Sequence, residues 1–230
     1  MEDVVTDEEL DVFKEHGLYL AHAVLLDEEG LEYANGQYLY QPTRFSETFF
    51  VVFSKLAQLN NYCFHQLVSS HSRLYELKSQ RDRAKNQRWP SAEELDYYDE
   101  EIPDWENNAN FIVKATSVVL LCSFAEWALK TISKELTSDP PRKTSRGLSD
   151  IAHLLQHIKQ NAGLVLPEQE MEISVIDSFR TIRNAFAHGN WHALEQQLAV
   201  LRLRDCFEAV SDLVMQIEIA AWQSKWAEAT

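Results

Sequence analysis

The stretch RNAFAHG, residues 183–189, places an arginine, an asparagine and a histidine at the end of a segment with helical periodicity. Arg183 carries a permanently charged guanidinium, which binds phosphate oxygens in pairs. His188 carries a side chain that gives and takes protons near neutral pH. Gly189 is suited to the left-handed conformation that ends a helix. The stretch therefore predicts a helix end that opens into a cleft, with groups able to cleave a phosphodiester without a metal.

The spacing leaves two interpretations open. Arg183 and His188 are five positions apart, so they lie roughly 140° apart around a regular helix. They can serve one site if the helix ends near His188 and Arg183 reaches round it, with the Asn184 amide donating to a phosphate or to the histidine ring. In the structural alternative, Arg183 pairs with a carboxylate, His188 satisfies the last carbonyls of its helix, and Asn184 bonds to nearby backbone.

The motif resembles the signature of the HEPN superfamily, which is an arginine, four to six intervening residues and a histidine, often with a polar residue directly after the arginine. Here four residues intervene and the polar residue is Asn184. The resemblance implies a small all-helical domain. Many members are metal-independent ribonucleases that act as toxins or in defence against phage, and others bind partners without catalysis. The resemblance is sharp over about twenty residues and looser over roughly the last 125.

The resemblance implies a role for each residue of the motif. His188 would act as general base or acid on the ribose 2′-hydroxyl, Arg183 would stabilise charge on the phosphate, and the product would carry a 2′,3′-cyclic phosphate. Glu126 is predicted to face Arg183 or His188, because family members often carry an acidic residue on the corresponding helix; the alternative is a solvated glutamate. The predicted catalytic residues are thus Arg183, Asn184, His188 and Glu126, with no metal and no cofactor. A two-fold dimer would supply both an acid and a base.

Three nearby residues are candidates for RNA binding. Arg180 precedes Arg183 by one helical turn and would widen the cationic patch, unless it is an ordinary surface residue. Trp191 would stack on a base, unless it is a core anchor, and His192 follows it directly. Asn190 stands where one toxin subgroup carries a tyrosine that a nucleotidyltransferase antitoxin modifies. This departure argues against that antitoxin and leaves another antitoxin or a defence-system protein as the expected partner.

Composition limits the classes of function. The chain has 230 residues, 45% of them hydrophobic, with only 6 Gly and 6 Pro, which predicts a mostly helical protein with a sizeable core. Its net charge of -15 argues against a broad basic surface for duplex nucleic acid, including duplex DNA. It does not exclude a nuclease with a local cationic pocket. It favours the rival function, a non-catalytic HEPN-like module that binds a nucleotide or a protein partner.

Cysteine usage and the N-terminus suggest a cytoplasmic protein. Cys63, Cys122 and Cys206 are widely separated, which predicts reduced core residues and neither a zinc site nor a disulfide framework. His153 and His157 have a metal-capable spacing without an obvious third ligand, so we predict a surface or semi-buried pair. The first residues are acidic and unlike a signal peptide, and no apolar run approaches the length of a membrane span.

Periodicity and turn signals predict an all-α up-and-down bundle. We expect an N-terminal helical extension over residues 1–100 and a HEPN-like domain over 101–230. The helices are predicted at about 6–26, 44–88, 107–136, 150–160, 168–187 and 193–226. The acidic stretch 96–106 is predicted to separate the two long helices, and 138–147 to form a loop. In the segment 107–136 the predicted core positions include Val119, Leu120, Phe124 and Trp127.

Overall fold

The protein is a bundle of α-helices. The computed structural model describes residues 6–20, 25–26, 32–33, 38–42, 46–138, 150–166 and 170–227. Within these ranges the helices are α1 (Asp7–His16), α2 (Glu47–Lys85), α3 (Ala92–Asn107), α4 (Val113–Leu136), α5 (Asp150–Asn161), α6 (Glu170–Ala187), α7 (Trp191–Ala199) and α8 (Leu203–Ala227). Two short strands, β1 (Leu25–Leu26) and β2 (Glu32–Tyr33), pair antiparallel. The predicted all-α fold is confirmed.

Helix α4 lies at the centre and packs against α2, α5, α6 and α8. Its buried positions recur at helical spacing and include Val118, Leu121, Ala125, Leu129 and Ile132. The predicted core face was wrong in part, because Trp127 is exposed and Phe124 only partly buried. Since this helix is apolar on most sides, periodicity does not identify the face that the other helices cover.

The first helix is shorter than predicted. It ends at His16 because Gly17 adopts a left-handed conformation, with φ of 70°, and donates its N–H to the Phe13 carbonyl. A side chain at Gly17 would place its Cβ 2.8 Å from the Cβ of Arg204, so only glycine fits. The predicted continuation to residue 26 is therefore wrong, and β1 occupies Leu25–Leu26.

The acidic stretch between the long helices is itself helical, which corrects the predicted separation. Ser91 caps α3 by accepting a hydrogen bond from the Glu94 N–H, and α3 runs on through a π-helical segment, Asn108–Ile112, into α4. Pro103 lies inside α3, where it removes one backbone donor, and the wider turn follows it closely. The predicted domain boundary at residue 100 lies within α3.

The last predicted helix is two helices, α7 and α8, with a break at residues 200–202. No glycine or proline marks this break. A long-range contact lies at this break: the buried Lys114 on α4 donates from Nζ to the Leu198 carbonyl at 2.5 Å, near the end of α7. Helices α2, α5 and α6 lie within a few residues of their predicted bounds, whereas most of the predicted loop 138–147 lies outside the described residues.

One continuous helix in the described part of the chain, Ala92–Leu136, is long and apolar enough by length and composition to cross a membrane. This corrects the expectation that no segment would pass that test. Half of the apolar 18-residue stretch in this helix is buried inside the protein, as in the core helix of a soluble protein.

Candidate functional site

The motif lies where α6 ends and the chain turns into α7. The Gly189 N–H donates to the Phe186 carbonyl at 3.2 Å, and the Asn190 N–H donates to the Ala185 carbonyl at 2.9 Å. Gly189 has φ of 65°. These two bonds are the pair that closes a helix through a left-handed glycine, so they satisfy carbonyls that the helix end would leave free. The predicted helix end at Gly189 is confirmed, and it leaves the His188 side chain exposed.

The next helix begins at once, because the side-chain oxygen of Asn190 accepts a hydrogen bond from the Ala193 N–H. Trp191 packs its ring edge against Phe186, with centroids 5.8 Å apart, and also lies against Phe111. The ring is nevertheless half exposed. Trp191 is thus both an anchor for the turn and an accessible aromatic surface. The exposed His192 contacts Gln196 through its ring.

Arg183 contacts α4. Its Nη1 donates to Oε1 of Glu126 at 2.7 Å, and the two side chains are 32% and 19% exposed. Burial disfavours the charge of Arg183, but the hydrogen bond to Glu126 and the charges of Cys122, Glu126 and Asp150 together outweigh it, so the pKa of Arg183 is raised. The pair satisfies the expectation that Glu126 faces Arg183. It equally satisfies the structural alternative, in which Arg183 pairs with a carboxylate.

The charges around the ion pair are nearly balanced. Burial raises the pKa of the Cys122 thiol, one turn before Glu126, and the charges that act on it come from Arg183, Glu126, Arg180 and Asp177. Two cations and two carboxylates therefore lie near one thiol. Arg180 is exposed, but Glu126 and Asp177 offset the wider cationic patch that its spacing predicts.

His188 and Asn184 take no part in the Arg183–Glu126 ion pair. Both side chains are exposed, and within the described residues neither forms a hydrogen bond or an ion pair. A single copy of the chain therefore brings Arg183 and Glu126 together and leaves the imidazole and the amide free at the helix end. This arrangement offers a held cation, a separate proton-transfer group and a polar amide within two helical turns.

The histidine pair on α5 matches its predicted character. His157 is partly buried and uses both ring nitrogens, one against Thr137 Oγ1 and the other against Asn161 Nδ2. The sequence did not predict a second group of side chains that could bind a metal. Glu15 and His16 at the end of α1 lie against His71 on α2. The separation of His71 from the other two hides the group from any spacing rule, and the one local signal is the His16-Gly17 helix end.

Comparison with known proteins gave no relatives. No protein-family model matches the chain, and neither a curated protein nor a solved structure matches it. The resemblance to the HEPN superfamily therefore stays a prediction from the motif.

Proposed function

We propose that this protein is a metal-independent endoribonuclease of the toxin or phage-defence type. The observation that supports it is the end of α6, where an exposed His188 and Asn184 lie just beyond an arginine held by Glu126. Arginine has five N–H donors, and Glu126 accepts from Nη1. The remaining donors and the exposed part of the side chain are left to bind phosphate oxygens.

In this mechanism the imidazole of His188 removes the proton from a ribose 2′-hydroxyl. The 2′-oxygen then attacks the adjacent phosphorus, the bond to the 5′-oxygen breaks, and a second acid protonates that leaving oxygen. The products are a 2′,3′-cyclic phosphate and a free 5′-hydroxyl. Arg183 stabilises the negative charge that develops on the phosphate, and Asn184 positions it.

One copy of the chain offers one histidine in the motif, whereas the reaction needs a base and an acid. A two-fold dimer supplies both, because the same helix end of the second copy faces the same cleft. Trp191 is suited to stack on a base, and Arg180 and His192 to contact the RNA beside it. In this proposal the protein works in the cytoplasm, and an antitoxin or another defence-system protein controls it.

The test is incubation of purified protein with tRNA and mixed single-stranded RNA in EDTA. We compare the wild type with His188→Ala and with His65→Ala, a control that removes an exposed histidine from α2. His188→Ala should lower the cleavage rate by on the order of a hundred- to ten-thousand-fold, and His65→Ala should leave it unchanged. Analytical ultracentrifugation should show a dimer. Equal cleavage by His188→Ala, or cleavage that needs Mg²⁺, would rule out this mechanism.

The second candidate is a non-catalytic HEPN-like module that binds a nucleotide or a protein. The observation that favours it is the pairing of Arg183 with Glu126, which neutralises the cation that a phosphate would need. The net charge of -15 also repels RNA. In this case the folded wild type cleaves no RNA under any condition. Nucleotide binding should then quench the fluorescence of the half-exposed Trp191, and Trp191→Leu should abolish that signal.

A further inference from the structure

Three side chains that can bind a metal meet between α1 and α2, far along the chain from the motif. Glu15 and His16 end α1, and His71 lies near the middle of α2. One ligand atom from each of the three lies within 4.8 Å of the others. Both imidazoles are buried, at 4% and 5% exposure, while the Glu15 side chain is half exposed. We call these residues the Glu15–His16–His71 cluster.

Hydrogen bonding within the cluster does not account for its geometry. Oε2 of Glu15 lies 3.7 Å from Nε2 of His16 and 3.5 Å from Nε2 of His71. Within the described residues, these two Nε2 atoms and Nδ1 of His16 are buried without a hydrogen-bond partner. Buried polar atoms are normally satisfied, so the two orphaned Nε2 atoms beside one carboxylate point to a ligand from outside the protein.

The distances between the ligand atoms of the cluster are close to those in a metal site. Zinc binds histidine nitrogen and carboxylate oxygen at about 2.0–2.2 Å, so ligand atoms in a tetrahedral site lie roughly 3.3–3.5 Å apart. The two nitrogen-to-oxygen distances of the cluster, 3.7 and 3.5 Å, already lie within a few tenths of an ångström of that separation. Two histidines and one glutamate also form a ligand set that zinc uses in open sites, which keep a fourth position for water or substrate.

We propose that Glu15, His16 and His71 bind one divalent zinc-class ion whose fourth position faces the cleft between α1, α4 and α7. This cleft has a volume of about 490 Å³, and its lining includes Glu15, His16, Glu106, Asn110, Lys114 and Glu195. Three carboxylates on its wall, in a chain of net charge -15, draw cations towards it. The site is independent of the proposed ribonuclease function.

The fold holds the ligands in place before any ion binds. Thr6 and Glu9 form a capping box at the start of α1, and Gly17 closes its end directly after His16. Tyr75 on α2 donates from its hydroxyl to the Asp11 carboxylate on α1, which ties the two helices together beside the cluster. Because the ligands are pre-positioned, binding requires little reorganisation.

Lys114 works against metal binding, because its side chain lines the same cleft as Glu15 and His16 and its ammonium repels a second cation.

The test is calorimetric titration of Zn²⁺ into protein stripped with EDTA and dialysed, repeated with Co²⁺, whose visible spectrum reports the ligands. The wild type should bind one ion per chain with a Kd below about 10 μM. Glu15→Gln and His71→Ala should each weaken binding by at least tenfold. His65→Ala, on the same helix as His71 but exposed, should bind as the wild type does.

Two further variants distinguish loss of the metal site from misfolding and from adventitious binding. Glu15 is half exposed, so Glu15→Gln keeps the test readable even if His71→Ala fails to fold, which circular dichroism would show. His157→Ala tests for adventitious binding at the α5 pair, and its affinity should match the wild type. The proposal is wrong if the wild type binds no ion, if Glu15→Gln keeps full affinity, or if His157→Ala removes the bound ion. Unchanged RNA cleavage by Glu15→Gln in EDTA would show that the two sites are separate.

Discussion

Two helices of this protein end at the same dipeptide, His-Gly, but the two turns differ in their burial and in the residues that pack against them. His16 is the last residue of α1 and Gly17 follows it, whereas His188-Gly189 directly follows α6. The φ values of the two glycines are 70° and 65°. His16 is buried against His71, and Gly17 lies under the side chains of Arg202 and Arg204. His188 is exposed, and a Cβ on Gly189 would meet nothing closer than 3.9 Å.

The difference shows what a local signal can establish. A histidine before a left-handed glycine predicts a helix end in both cases, because the glycine requirement belongs to the backbone itself. It does not predict whether the histidine meets solvent or two other metal-binding side chains. That outcome depends on what packs over the turn: His71 of α2 and Arg204 of α8 lie against the first turn, whereas a Cβ on Gly189 would meet only Trp191 of the next helix within 4 Å.

The largest expected effect concerns reactivity at the two ends. Diethylpyrocarbonate modifies accessible neutral imidazoles, so His188 should react quickly, while His16 and His71 should react slowly behind α1 and α2. If His188 is the general base, RNA cleavage should fall by on the order of a hundred- to ten-thousand-fold as modification becomes complete. Peptide mapping by mass spectrometry follows each histidine against residual activity.

The control is the same reaction on His188→Ala, which leaves the buried pair as it is. Modification should then lower the remaining RNA cleavage only slightly, through the exposed His192, and leave the folded state unchanged. If His71 in the wild type reacts as fast as His188, the cluster is not buried in solution and the contrast between the two ends fails.

The second prediction compares the two glycines directly. Gly17→Ala forces a side chain into a left-handed residue, which costs about 1–2 kcal/mol, and adds overpacking against Arg204 of about 1–3 kcal/mol. Gly189→Ala carries the first cost alone, because its surroundings are open. Urea unfolding should therefore show a loss of about 2–5 kcal/mol for Gly17→Ala and about 1–2 kcal/mol for Gly189→Ala. Equal losses would mean that Arg204 moves aside freely.

The same distinction explains how far the sequence predicts the fold. Local signals gave α2, α5 and α6 within a few residues, because a cap, a proline or an apolar stripe marks each one. The predictions failed where no local signal marks a helix end, as at residues 200–202, where Lys114 of α4 contacts the Leu198 carbonyl near the end of α7. The acidic stretch 96–106 failed for another reason: Tyr98 and Ile102 pack on α2 and make the stretch helical despite Pro103.

The candidate site divides in the same way. The sequence marked Arg183, Asn184 and His188 as neighbours in a motif, and the position of Gly189 predicted their helix end. The partner of Arg183 came from the family resemblance, since no rule of spacing links residues 126 and 183. The Glu15–His16–His71 cluster had neither kind of signal, because its three residues meet only after α1 docks on α2.

The third prediction tests whether Glu126 is a structural or a functional partner of Arg183. Glu126→Ala leaves a partly buried guanidinium unpaired, so we expect a loss of about 1–2 kcal/mol in the free energy of unfolding, between the values for exposed and buried pairs. Adding Arg183→Met should recover most of that loss, because the unpaired charge is gone. A functional partner requires that Glu126→Ala lower RNA cleavage under conditions where that variant is fully folded, whereas a structural partner leaves cleavage unchanged there.

The smallest expected effect comes from Lys114. This residue interacts with both regions, with α7 after the motif and with His16 at the end of α1. Its ammonium donates to Leu198 near the end of α7, the helix that begins directly after the motif, and its charge acts on His16. Lys114→Met keeps most of the length of the side chain and removes the charge. The Leu198 carbonyl keeps the backbone donor of Leu201, so α7 should still end in place.

Removing this cation should strengthen Zn²⁺ binding to the Glu15–His16–His71 cluster by on the order of tenfold, since two like charges no longer share a desolvated region. The titration used for the cluster measures the change, and Lys55→Met, which removes an exposed lysine of α2, is the matched control. Weaker binding by Lys114→Met would mean that the lysine holds the cleft open and that packing outweighs charge. RNA cleavage in EDTA should be the same in both variants. Both regions adjoin α7, but no residue of the Glu15–His16–His71 cluster belongs to the motif.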